Sequence, residues 1–153
     1  MKTTARQIAI DMYKCKDNRF ENLDQLCQKL TDLVKDINFE ISDCTAHKFD
    51  EDHLSVCIFF PEGSIVVHAY SQLDYVAADL YLCQENATPE RYFNELKKLF
   101  KPEKIKTTQL KRGDFGTVKD MKPSTKTRIA PLRRISNTGT KVIRLLSRKN
   151  QGI

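Results

Sequence analysis

The spacing of apolar positions changes several times along this chain, and each change marks an element. From Arg6 to Tyr13, Ile8 and Ile10 alternate with Gln7, Ala9 and Asp11, the two-residue period of a strand. Leu23, Leu26, Cys27, Leu30, Leu33, Val34 and Ile37 then recur at intervals of three and four, which predicts an amphipathic helix with Asn22 as its cap. Short strands are predicted near 40–49, 54–60, 64–70 and 75–83, with Pro61-Glu62-Gly63 as a turn between the middle two. Thr88-Pro89-Glu90 opens a second helix: a capping threonine, a proline at the first helical position and an acidic residue where the helix dipole favours it. Its buried stripe is Tyr92, Phe93, Leu96, Leu99 and Phe100, and Pro102 ends it. Residues 104–112 read as a last strand. The order β-α-β-β-β-β-α-β predicts an α+β fold, a two-layer sandwich in which an antiparallel or mixed sheet carries two helices on one face.

At 153 residues, 40% hydrophobic and 30% charged, the chain is expected to form one domain with one ordinary core. It contains no run of about eighteen apolar residues, and Met1 to Arg6 lead into the alternating pattern rather than an apolar leader, so a cytoplasmic location is expected. Cys15, Cys27, Cys44, Cys57 and Cys83 form no CxxC pair and no zinc-like spacing with histidine, which predicts free thiols and no metal site.

Charge divides the chain. Residues 116–153 carry ten lysines and arginines against the single Asp120, or +9 of the net +6, which leaves −3 for residues 1–115. A globular unit at 1–115 and a basic, flexible extension at 116–153 follow. Within the extension, 116–140 lacks periodicity, Arg133-Arg134-Ile135-Ser136 is similar to a basophilic kinase site, and Lys141 to Lys149 suggests a short amphipathic helix. Such a tail suits an anionic partner, a membrane surface or nucleic acid.

The segment Pro61-Glu62-Gly63-Ser64-Ile65-Val66-Val67-His68-Ala69-Tyr70-Ser71-Gln72, followed by Asp79-Leu80-Tyr81-Leu82-Cys83, resembles the self-cleavage region of the prokaryotic S-adenosylmethionine decarboxylase proenzymes, Glu-Ser-His-x-x-x-His-Thr-Trp-Pro-Glu. Tyr13-Lys14-Cys15, His47-Lys48-Phe49, Ser55, Tyr75 and Arg112-Gly113 fall in register with the same family pattern, over residues 6 to about 113. The resemblance implies a dimer of two-layer protomers with active sites near the interface. It assigns a processing role to His68, an assisting one to Ser55 and proton donation during turnover to Cys83. In such enzymes a serine hydroxyl attacks the preceding carbonyl, and an ester forms and eliminates. The dehydroalanine left behind then loses ammonia to become a pyruvoyl group, the electron sink for decarboxylation.

Here the serine's position is Gly63, next to Glu62. Glycine has no hydroxyl, so neither acyl shift nor elimination can start there. An uncleaved chain needs no cofactor; a self-derived pyruvoyl group requires Ser64 to act one residue later, and in an extended segment a shift of one turns a side chain to the opposite face. Phe49 and Tyr70 remain able to stack on a nucleobase, while Gln72 replaces the family's ribose-binding glutamate and loses its charge. The sequence therefore predicts a pseudoenzyme of polyamine metabolism that binds an S-adenosylmethionine-like or polyamine ligand or regulates an active paralogue. The alternatives are an active decarboxylase processed at Ser64 and a dimeric scaffold for the basic tail. His47 and His53 are expected to support loops.

Overall fold

A computed structural model of the protein describes residues 5–16, 22–84 and 88–129. Seven strands and two helices follow in the order β1 (Ala5–Tyr13), α1 (Leu23–Asp36), β2 (Asp43–Lys48), β3 (His53–Phe60), β4 (Gly63–Tyr70), β5 (Tyr75–Leu82), α2 (Pro89–Phe100), β6 (Lys104–Arg112) and β7 (Ser124–Ile129). All strand pairs are antiparallel, in the spatial order β2-β3-β4-β5-β1-β6-β7. The hairpin β3-β4-β5 forms by short turns, and β1 enters between β5 and β6.

The two helices cover one face, where alternate residues of four neighbouring strands converge: Ile8, Ile10 and Met12 of β1, Val56 and Ile58 of β3, Ile65 and Val67 of β4, and Val76, Ala78 and Leu80 of β5. Against them α1 buries Leu26, Leu30 and Val34, and α2 buries Tyr92, Leu96 and Phe100. Each such side chain withdrawn from water contributes about 1.5–3 kcal/mol before entropy is counted. The opposite face, which carries Ser64, Val66, His68 and Tyr70 of β4, has no helix over it among the described residues.

Asn22 caps α1 as its sequence predicts, its side-chain oxygen accepting the Gln25 N–H at 2.8 Å. Thr88 does not do so for α2: it occupies the cap position without a side-chain hydrogen bond. Lys101, in the left-handed conformation, ends α2 one residue ahead of Pro102. Two further expectations change. Gly63 lies in β4, paired with Phe60 and Leu82, and only Pro61 and Glu62 form the turn. Residues 116–140, expected to be flexible throughout, contain β7, which adds a strand to the sheet edge. There Thr108 and Thr125 hydroxyls bond at 3.0 Å, and Arg128 lies over the Phe93 ring at 5.8 Å. The predicted helix at 141–149 and the Arg133–Ser136 segment lie outside the described residues. No helix of the described residues is long and apolar enough to cross a membrane.

Candidate functional site

Strand β4 connects every residue singled out by the self-cleavage segment. At its start, the Cys83 N–H donates to the Glu62 carbonyl at 2.7 Å, which brings the end of β5 against the β3–β4 turn. Gly63 follows, and here the backbones come unusually close. A Cβ placed on Gly63 would lie 1.9 Å from the Tyr81 carbonyl oxygen, 2.8 Å from its carbon and 3.2 Å from Leu82 Cα. All three are main-chain atoms, so no side-chain rotation relieves the collision. Glycine in a strand commonly marks such an approach. Position 63 thus lacks both the hydroxyl and the space for one. The residues present do not fit pyruvoyl formation there.

Ser64 sits opposite Phe59 and Tyr81, half-buried, on the open face. Its hydroxyl shares that face with His68 and Ser55, but His68 is four residues further along the strand, about 13 Å at the rise of a β-strand. Ser55 is paired with His68 and lies equally far from Ser64. His68 is therefore out of reach as a base for Ser64 within one protomer.

Midway along the face, Ser55 is buried at 7% exposure beside His68. His68 Nδ1 lies 3.1 Å from His53 Nε2, a hydrogen bond in which one ring donates and the other accepts. Burial pushes the His68 imidazole below its ordinary value, and His53 adds to this; the Asp79 carboxylate opposes them. His68 is thus held neutral, able to accept or relay a proton.

The far end of the strand is aromatic. His53 stacks on Tyr70 at 4.3 Å and on Phe49 at 4.7 Å, Tyr70 on Tyr75 at 5.7 Å, and Tyr75 lies against Tyr13 at 5.3 Å. Tyr75 donates a hydrogen bond to Asp11, and burial together with that bond raises its phenol. Phe49 is 63% exposed at the open end of this row, and Gln72 is exposed in the β4–β5 turn that follows Tyr70. The row offers a flat apolar surface with polar edges, suited to a planar ring. The sequence reading missed His53 as a member. It stands at the center of the row rather than supporting a loop, and its even spacing from Ser55 along β3 places both on one face.

The structure therefore distributes the candidates instead of gathering them. Glu62, Gly63, Ser64 and Cys83 occupy one end, Ser55 and His68 the middle, and Phe49, Tyr70 and Gln72 the other end. Gly63 and Tyr70 are seven residues apart in one extended strand, about 23 Å. No cluster of three or more histidine, cysteine or acidic side chains with metal-binding geometry occurs among the described residues.

An antiparallel sheet with two helices on one face defines a two-layer α+β protein. The family model for S-adenosylmethionine decarboxylase matches residues 6–113, and the chain belongs to that family. Relatives include the S-adenosylmethionine decarboxylase proenzyme of Methanococcus maripaludis, 28% identical over 122 residues that span 78% of this chain and all of that protein. The proenzyme of Thermoanaerobacter sp. is 26% identical over 115 residues, 75% of this chain and 93% of the relative. The crystal structure of the adenosylmethionine decarboxylase from Aquifex aeolicus shares the fold, with a TM-score of 0.66 at 18% identity over 74% of this chain and 93% of that one.

Proposed function

We propose that this chain is a family member that stays uncleaved, forms no pyruvoyl group and acts by binding rather than by decarboxylation. The carrying observation is the Tyr81 carbonyl 1.9 Å from where a Gly63 side chain would begin. A serine lost by a single substitution would leave its space behind. Here the β5 backbone fills it. Processing at Ser64 has less support within one protomer, because that protomer's own His68 and Ser55 are both about 13 Å away along the sheet.

The row of Phe49, His53, Tyr70 and Tyr75 supports binding of a planar, nucleoside-like group, consistent with an S-adenosylmethionine-like ligand in polyamine metabolism. Gln72 can hydrogen-bond ribose hydroxyls without the charge of a carboxylate. The ammonium groups of a polyamine have Asp11 and Asp79 on the same face.

The open face also supports a partner. Two copies stacked face to face, strands antiparallel, place the Gly63 end of one protomer against the Tyr70 end of the other, and thus join candidates that one protomer holds about 23 Å apart. A second copy or an active relative fits this arrangement. With an active relative, this chain supplies the aromatic end and the relative supplies the pyruvoyl.

Intact mass of the freshly purified chain under denaturing conditions tests the reading. A single species at 17.7 kDa is expected. Two fragments, the second beginning with a blocked residue 64, would overturn it.

A further inference from the structure

On the helix-covered side of the sheet, two buried polar atoms have no hydrogen-bond partner: Glu62 Oε2 and the Tyr92 hydroxyl. Leaving either unsatisfied costs about 1–3 kcal/mol, so native proteins seldom do so without a ligand, an ion or a water to complete the set. Both atoms line one cavity of about 280 Å³ between the β3–β4 turn and the start of α2. The Glu62 backbone is pinned by the Cys83 N–H at 2.7 Å, and Tyr92, 1% exposed, packs against Phe39 at 5.9 Å and Phe60 at 6.3 Å. Burial, reinforced by the negative charge of Glu62, keeps the Tyr92 phenol protonated.

The floor of this cavity thus presents a carboxylate oxygen that only accepts and a hydroxyl that both accepts and donates, an arrangement suited to an ammonium group. The mouth has the opposite polarity. Arg91 lies there, exposed, and Thr88 at the cap of α2 makes no side-chain bond to the helix, so the positive end of a twelve-residue helix opens onto the same space. One acidic group below and one basic group above select against a simple diamine, whose second ammonium would meet Arg91, and against a dianion, which would meet Glu62. They complement a zwitterion.

We propose that this cavity binds a free amino acid, its ammonium group on Glu62 and Tyr92 and its carboxylate toward Arg91 and the first turn of α2. The site is separate from the open face that carries His68 and Tyr70, and does not depend on the function proposed for that face.

The full-length protein is titrated with glycine and with 4-aminobutyrate, which place the two charges one and three carbons apart, and with ethylamine and propionate, which carry one charge each. Thermal stabilisation and calorimetry report binding. A rise in Tm with either zwitterion that exceeds those of both single-charge compounds supports the site, and the better zwitterion gives its charge spacing. In Glu62→Gln the affinity for that zwitterion falls roughly tenfold or more, the loss expected for one charged hydrogen bond. Tyr92→Phe deletes an unpartnered hydroxyl, so it keeps the fold, and it weakens binding several-fold. The proposal is overturned if no zwitterion outperforms ethylamine and propionate, the result for a cavity that holds only water. It is equally overturned if both variants bind the zwitterion as tightly as the parent.

Discussion

The two ends of β4 differ in what their surroundings leave open. At the Tyr70 end, the rings of Phe49, His53, Tyr70 and Tyr75 stack in a row at 4.3 to 5.7 Å, with Phe49 exposed at its end. At the Gly63 end, the β5 backbone occupies the place where any side chain would start. The aromatic row and the position in register with the family's processing serine lie on one strand, yet only the row leaves room for a further group beside it. The difference teaches that a position is judged by what fills its volume as well as by the residue it carries.

Gly63→Ser is the most severe way to break that contrast. The new Cβ must displace the main chain of Tyr81 or Leu82, so the variant is expected to lose about 3 kcal/mol, the upper range for overpacking, and roughly 10 °C in Tm. It should still run as one species in denaturing mass spectrometry. Cleavage of Gly63→Ser into two fragments would show that β5 yields easily and that the two ends differ by a single residue.

The edge beside the processing end gives a second test. Cys27 Sγ on α1 and Cys44 Sγ on β2 lie 2.8 Å apart, and burial followed by the bond to Cys27 pushes the Cys44 thiol up to about 11. Glutathione disulfide should convert the pair, slowly and faster at alkaline pH, to one intramolecular disulfide with release of two glutathione thiols. The closed loop of Cys27 to Cys44 should raise Tm by roughly 5–10 °C. Cys27→Ser abolishes the rise. Because this staple is far from Phe49 and Tyr70, ligand responses at the aromatic end should not change.

Tyr70→Ala sharpens the recognition half. Loss of one stacking ring is expected to weaken binding of S-adenosylmethionine or its decarboxylated form about tenfold, read as a smaller thermal shift. An unchanged shift would remove the aromatic row from ligand binding and leave the open face to a protein partner.

The smallest effect concerns His68. Its folded value lies below that of an unfolded histidine, so the unfolded chain binds the proton more readily, and acidification favours unfolding. The contribution is complete above the ordinary value near 6.5 and is lost as pH falls through the lowered folded value. Tm should decline modestly from pH 7.5 to 5.5, and His68→Asn should flatten the part due to this residue. A parent profile no steeper than that of His68→Asn would mean that His68 takes up its proton in the folded chain at no cost.

Much of this could be read from residue order alone. The periodicities over 6–13 and 23–37 and the strand runs from 43 to 82 specify elements because burying one face rewards only one spacing. The Asn22 cap was equally legible, since cap and amide are three residues apart. Thr88 was not: it occupies the cap position of α2 without a side-chain hydrogen bond, and it lines a cavity there. β7 was hidden for a related reason. Ser124 to Ile129 is polar and exposed, an edge strand held by main-chain pairing with β6, and such pairing leaves no hydrophobic pattern.

What the sequence by itself determined is chemical and local: the family, the fold class, and the absence of a hydroxyl at position 63, because covalent identity requires no neighbours. Only the tertiary structure decided that position 63 has no space, that His53 joins His68 and Tyr70, and that Glu62 and Tyr92 share a cavity without partners. Those are relations between residues 15 to 30 positions apart, and distances across strands and layers are set by packing, which no single stretch of the chain encodes.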